Sequence, residues 1–186
     1  MNEGLKTLDL DALVLAGGES RRMGLHKALL PLGYTTLLGM VVERLHPLFR
    51  RVLVVARHKE SLPHLDTAVL TDDRWERGPL VGLVRGLAAS DAPYCFVVGC
   101  DMPYLSAEFL RWLCGIARLD EADLVIPESE AHGFEPLCAV YAPSCLGPVE
   151  EALRSGRRKT SDAFEQLRVR VVRKEEWKRY DPEGKL

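Results

Sequence analysis

An α/β fold of three layers, with helices on both faces of a mostly parallel sheet, is predicted by three features of this sequence. Short runs rich in Val and Leu recur along it without polar alternation, as strands buried on both faces require. Segments carrying apolar residues at helical spacing lie between them. The two kinds of segment alternate from about residue 12 to residue 172, the order that builds parallel sheets rather than an all-helical or all-strand domain.

The first strand is expected at Ala12–Ala16, ending in paired glycines. Thr36–Phe49 follows as a helix, because Leu37, Val41, Leu45 and Leu48 fall on one face. Val52–Ala56 and Ala68–Thr71 are the next strands, and Leu80–Ser90, with Leu80, Leu83, Val84 and Leu87 at helical spacing, is the next helix. Cys95–Gly99 reads as a strand, and Ser106 suits the N-cap of a helix running to about Ala117, with Glu108 in its first turn. Asp123–Pro127 and Leu137–Tyr141 are expected strands, Ser144–Ser155 a helix closed by Gly156, and Val169–Val172 the last strand. No linker, repeat or low-complexity stretch interrupts this order, so residues 1–186 are expected to form a single domain.

Composition narrows the classes of partner. The formal charge of −2 over 186 residues gives no general attraction to nucleic acid or anionic membrane, and neither is expected as a partner. No secretory leader or spanning helix is apparent. Five cysteines, Cys95, Cys100, Cys114, Cys138 and Cys145, form no Cys-x-x-Cys pair, which argues against a zinc site or disulfide framework and for a reduced, cytoplasmic setting.

The segment Leu13–Leu32, LVLAGGESRRMGLHKALLPL, carries the sharpest functional signal. Gly17 and Gly18 lack a Cβ and allow the backbone to press its N–H groups on a ligand. Arg21, Arg22 and Lys27 add two forked guanidinium groups and a compact ammonium suited to phosphates. Five residues separate Gly18 from Gly24, and Lys27 comes three later, so the spacing is not that of the P-loop; no Gly-x-Gly-x-x-Gly is present either. The segment reads as a nucleoside triphosphate loop, the alternative being a plain glycine turn with surface arginines.

Ligands of such sheets sit outside the carboxyl ends of the strands. There the sequence offers Thr71-Asp72-Asp73 and Gly99-Cys100-Asp101-Met102-Pro103. Asp101, held between a buried-type strand and a proline, suits Mg²⁺, which takes one or two carboxylates with water and phosphates; otherwise it caps the turn. Gly78 and Gly82, flanking Pro79 at a helix start, permit close approach of a flat base or simply close helix packing. Glu135, before Pro136, either faces the site or is a solvent-facing turn charge. The basic run Arg154–Lys159, which contains Arg157, either draws a second phosphate-bearing substrate or is a solvated helix end. The five histidines show no metal-ligand spacing.

The segments Leu15-Ala16-Gly17-Gly18-Glu19-Ser20-Arg21-Arg22-Met23-Gly24 and Lys27-Ala28-Leu29-Leu30-Pro31-Leu32 resemble the signature of the molybdenum cofactor guanylyltransferases, within the sugar-nucleotidyltransferase-like superfamily. Asp72 before Gly78-Pro79-Leu80-x-Gly82, Cys100-Asp101-Met102-Pro103 and Gly156-Arg157-Arg158 fall in the same order, and Ala-Gly-Gly favours the guanylyl over the cytidylyl branch. The resemblance implies a Rossmann-like nucleotidyltransferase fold. It also implies that GTP and molybdopterin yield molybdopterin guanine dinucleotide and pyrophosphate, with Mg²⁺ as cofactor or Mn²⁺ as its substitute. Leu15, Ala16 and Gly17 would contact the nucleotide through backbone, Lys27 and Arg22 the triphosphate, Asp72 the guanosine, and Asp101 both metal and nucleotide. Gly18 and Pro79 complete the nucleotide candidates, and Glu135 and Arg157 are the acceptor-side ones. Transient contact with cofactor assembly proteins or molybdoenzymes belongs to the same expectation.

Two positions depart from the pattern. Ala56 stands before Arg57-His58 where an asparagine is usual, and Tyr180–Leu186 does not contain the closing Asn-x-Asn-Thr segment. A related transferase using CTP or another acceptor, or a non-catalytic nucleotide-binding relative, are the alternatives these leave.

Overall fold

The computed structural model describes residues 6–16, 27–59, 62–71, 78–129, 133–157 and 159–181, with residue 27 described in its backbone only. Strand β1 (Leu8–Leu15) is followed by a two-residue pair, β2 (Pro31–Leu32) and β3 (Thr35–Thr36), then helix α1 (Leu37–Leu45) and β4 (Phe49–Ala56). Next come β5 (Ala68–Thr71), α2 (Pro79–Ala89), β6 (Cys95–Gly99), α3 (Ala107–Leu119), β7 (Leu124–Ser129), β8 (Gly133–Phe134) and β9 (Cys138–Tyr141). Helix α4 (Leu146–Arg154), β10 (Val169–Val172) and the short α5 (Lys174–Trp177) complete the order.

The main sheet runs β10-β7-β9-β6-β1-β4-β5, with β8 paired to β7. Pairings β1/β4, β1/β6, β4/β5 and β7/β10 are parallel, while β9 runs against both of its neighbours. Strand alternation divides the core. Leu10, Ala12 and Val14 of β1 meet α1 and α3 on one face, and Leu13 and Leu15 meet α2 and α4 on the other. The predicted three-layer fold with a mostly parallel sheet is therefore the one observed.

Element ends differ where chemistry overrode pattern. The helix expected over Thr36–Phe49 stops at Leu45. Thr36 is its N-cap, with the hydroxyl accepting from Gly39 N at 3.1 Å, and Pro47 has no N–H to continue the ladder. Leu48, which fits the helical spacing, is a turn residue whose carbonyl accepts from Leu8 N at 2.8 Å. The first strand begins at Leu8 rather than Ala12. Asp11 interrupts the apolar run there, yet it is fully buried, receiving Arg50, Arg51 and the Ser90 hydroxyl.

Ser106 caps α3 as expected, its hydroxyl accepting from Phe109 N at 3.1 Å, and it also donates to Tyr180 O at 2.9 Å. The Tyr180 ring stacks on Trp112 of α3 with centroids 4.5 Å apart. One hydroxyl thus ends a helix and fastens a distant segment to it. Ser106→Ala is expected to cost about 1–2 kcal/mol, read as a lower urea midpoint with unchanged slope.

Candidate active site

The carboxyl ends of four parallel strands form one edge. Leu15 pairs with both Val55 and Gly99, and Ala56 pairs with Thr71. Three strand spacings put Gly99 about 14 Å from Thr71 along that row. Strand order reverses between β1 and β6, because β4 and β5 lie on one side of β1 and β6, the next sheet strand in the chain, lies on the other. A crevice at that reversal is where open α/β sheets take ligands.

The end of β1 is partly committed to the sheet. Ala16 N donates to Val55 O at 2.8 Å, and Leu15 O accepts from Cys100 N at 3.3 Å. A nucleotide contact at Leu15 or Ala16 then falls to carbonyl oxygens, each of which has two lone pairs. Gly17, Gly18, Arg22 and Asp72 lie outside the described residues. The backbone of Lys27 opens a short 3-10 turn, Lys27–Leu29, and its side chain lies outside the description.

Helix α2 begins at this edge. Gly78 is its N-cap at φ 129°, a backbone region that glycine favours, and Pro79 occupies the first turn, where its missing N–H costs nothing. Gly82 serves packing: a Cβ there would lie 3.3 Å from Leu15 Cδ2 and 3.8 Å from Val55 Cγ1. One turn on, a Cβ at Gly86 would come within 2.8 Å of Leu13 Cδ1. The two glycines let α2 sit close on β1 and β4, which answers at Gly82 the choice between base and packing. Arg85 Nε donates to Thr71 O at 3.1 Å and ties α2 to the end of β5.

Asp101 is exposed just past β6, in a turn closed by Met102 N donating to Gly99 O at 3.3 Å and followed by buried Pro103. Its carboxylate lies back over Gly99, so that a Cβ built on Gly99 would be 2.7 Å from Asp101 Oδ1. A hard, solvent-accessible carboxylate at the sheet edge fits Mg²⁺ or Mn²⁺, which draw their other ligands from water and phosphates. Among the described residues no group of three His, Cys, Asp or Glu could hold a metal ion.

Glu135 is half-buried and comes to the same edge. Its N–H donates to Pro127 O at 3.0 Å, its carbonyl accepts from Cys138 N at 2.9 Å, and Gly99 N donates to Leu137 O at 3.0 Å. The β6–β9 ladder therefore extends one pair past Val98 and Cys138 and brings the Glu135 turn beside the end of β6. Burial pushes the Cys138 thiol well up, and the nearby Glu135 carboxylate adds to that shift. Arg157 lies apart from these contacts. It is exposed beyond α4, with Nη1 donating to Asp162 O at 2.8 Å within its own loop. The structure thus brings Leu15, Ala16, Pro79, Asp101 and Glu135 to one edge, and the bonds recorded for Arg157 do not join it to them. Gly99, read from the sequence only as the end of a strand, is the residue that pattern reasoning passed over; a small residue two positions before an acidic one was the available signal.

The model of the MobA-like NTP transferase domain matches residues 12–171. The chain belongs to that family. A protein of Desulfosudis oleivorans named molybdenum cofactor guanylyltransferase is 35% identical to this MobA-like chain over 174 residues, covering 92% of it and 84% of the relative. A Mycobacterium tuberculosis protein named probable molybdenum cofactor guanylyltransferase is 40% identical over 171 residues, covering 88% of this chain and 84% of its own. The crystal structure of molybdopterin-guanine dinucleotide biosynthesis protein A from Archaeoglobus fulgidus matches the MobA-like fold at TM-score 0.81 and 27% identity, over 94% of this chain and 88% of that one. The chain is accordingly a nucleotidyltransferase. Among its described residues no helix is long and apolar enough to cross a membrane.

Proposed function

We propose that this chain transfers GMP from GTP to the terminal phosphate of molybdopterin, forming the guanine dinucleotide and releasing pyrophosphate. The observation that carries the reading is the coincidence of Asp101 with the strand reversal, in a chain that is similar over nine-tenths of its length to a molybdenum cofactor guanylyltransferase. An acceptor phosphate oxygen attacks the α-phosphorus, the bond to the β-phosphate oxygen breaks, and that oxygen leaves with pyrophosphate. The acceptor phosphate is already anionic at neutral pH, so the reaction needs no protein nucleophile, and charge repulsion and alignment dominate its barrier.

Residues divide these tasks. The glycine- and arginine-bearing segment that follows β1 in the sequence takes the triphosphate, with Lys27 and Arg22 neutralising charge on the α-phosphate and departing pyrophosphate. Asp72 receives the guanosine, and Pro79 with the start of α2 lines the nucleotide side. Glu135 faces the acceptor side, and Arg157 is the second acceptor-side candidate. Asp101 would hold a divalent ion, Mg²⁺ or Mn²⁺, which would supply further charge neutralisation on the triphosphate. We also infer a reducing, cytoplasmic setting, supported by five buried cysteines, none of them in a disulfide; burial raises Cys95 to about 11 and Cys145 to about 12, so both stay protonated at neutral pH.

Thermal denaturation with GTP, CTP, ATP or UTP, each with and without Mg²⁺, tests the nucleotide half of the reading. GTP with Mg²⁺ is expected to stabilise selectively, by about 2.7 kcal/mol at a hundredfold excess over its Kd. Preference for CTP moves the enzyme to the cytidylyl branch, and no shift with any nucleotide overturns the reading. Pyrophosphate release on adding molybdopterin tests the acceptor half and separates a transferase from a GTP-binding relative.

A further inference from the structure

We propose that Gly99 is a positioning residue, required because the Asp101 carboxylate occupies the space a side chain at Gly99 would fill. The inference rests on the reading of Asp101 as a metal-holding group. It adds a residue whose role is to keep that carboxylate in place over the end of β6.

Gly99 does not need to be glycine for its backbone. It is the last residue of β6, and its φ lies outside the left-handed region, unlike Gly33, Gly78, Gly133 and Gly156 at 61°, 129°, 79° and 75°. Its N–H is bonded within the sheet, to Leu137 O at 3.0 Å. Alanine has access to the same conformation, and in a strand glycine is a poor choice, being entropically costly and offering nothing to pack. Some other demand keeps the position empty.

The surroundings identify that demand. A Cβ at Gly99 would meet Asp101 Oδ1 at 2.7 Å, and the next atoms, Asp101 Cγ and Leu137 Cβ, lie at 3.9 Å. The second distance is ordinary contact, so the packed protein has room for a methyl group and only the carboxylate does not. Gly82 and Gly86 differ in kind, because the atoms their methyl groups would strike belong to packed Leu15, Leu13 and Val55. At Gly99 the obstructed atom is the far end of a short polar side chain at the surface. Rotation of that side chain relieves the clash without moving any packed apolar group, and the same rotation removes the carboxylate from its seat. Asp101 is the third residue of the turn closed by Met102 N donating to Gly99 O at 3.3 Å, and that turn folds its side chain back over the residue that opens it, so a bare glycine there makes a shelf for the acid.

Gly99→Ala should therefore separate stability from metal binding. With GTP present, Mn²⁺ affinity, read from the electron paramagnetic resonance signal of free Mn²⁺, is expected to fall roughly tenfold or more, as for other residues that orient a metal-holding group. The Tm is expected to stay level or rise slightly, since alanine restricts the unfolded chain where the native conformation suits it. In an Asp101→Asn background the same change should have no further effect on Mn²⁺ affinity, because the group it acts through no longer carries charge. Wild-type Mn²⁺ affinity in Gly99→Ala, together with weakened affinity in Asp101→Asn, overturns the role of Gly99 and leaves the metal reading standing. Equal loss from Gly99→Ala in both backgrounds, or a Tm lowered by several degrees, also overturns it, since either assigns glycine to packing. Unchanged affinity in Asp101→Asn removes the metal reading itself, and the inference with it.

Discussion

Asp101→Asn is expected to lower metal-dependent turnover by roughly 10²–10³-fold, the range found when a single preorganised transition-state contact is removed. The amide matches the carboxylate in size and shape, so the substitution tests charge. Asn remains an oxygen donor but is neutral, and a hard cation loses the anionic ligand that the described part of this edge offers through Asp101. Because Asp101 is exposed, folding stability should change by no more than about 0.5 kcal/mol. The assay is pyrophosphate release against Mg²⁺ concentration, with the KM for Mg²⁺ expected to rise and saturating metal to restore only part of the rate. A Mg²⁺ dependence identical to that of the parent would return Asp101 to its alternative role, capping the turn before α3.

Asp11→Asn is expected to produce the largest loss of stability, about 2–3 kcal/mol or a Tm lower by roughly 5–10 °C. Asp11 lies at the amino ends of the strands, opposite the site, and is fully buried. It receives Arg50 Nε at 3.0 Å, Arg51 Nη2 at 2.6 Å and Ser90 Oγ at 2.6 Å. Arg50 and Arg51 keep 35% and 43% of their side-chain surface in solvent, so after the substitution both can turn to water, which holds the loss below that of a fully enclosed pair. Burial alone would raise the carboxyl, but the hydrogen bonds from Arg51, Arg50 and Ser90 outweigh it and lower it from 3.8 to about 2. A native value below the unfolded one means that the ionised pair stabilises the fold above about pH 4. That stabilisation disappears as pH falls from about 4 through about 2, as the native carboxyl takes up its proton. Urea unfolding at pH 7 should therefore show the full difference between parent and variant, and unfolding near pH 3 a smaller one. An equal difference at both pH values would mean that the charge is not what the fold uses.

Much of this architecture is legible in the sequence. β5, β6 and β10 begin and end where their Val-containing runs do; β6 is buried at every position, so no polar residue blurs its limits, and the edge strands β5 and β10 keep theirs although Arg170 lies within β10. α2 and α3 fall within about two residues of their expected spans, their starts marked by Pro79 and Ser106. The apolar spacing extends α1 to Phe49 because Leu48 fits the helical face, whereas Pro47 interrupts the ladder and Leu48 O accepts from Leu8 N instead. Pattern alone starts the first strand at Ala12 because an aspartate reads as a boundary, and the arginine partners that let Asp11 be buried lie some forty residues away. The reversed direction of β9 had no local signal, since an apolar run is the same in either orientation.

The sequence by itself determined the layered α/β class, the chemistry available at the strand ends and the family to which Leu15–Leu32 and Cys100–Pro103 point, because each is encoded in residue types within a short span. Tertiary structure alone decided which of those residues share an edge. It set Leu15 beside both Val55 and Gly99, drew the Glu135 turn to the end of β6, assigned Gly82 to packing against Leu15 and gave Gly99 its place beneath Asp101. Each of these is a contact at a distance of a few ångströms whose existence depends on strand order, direction and register, and none of those three is written in the local pattern of a strand.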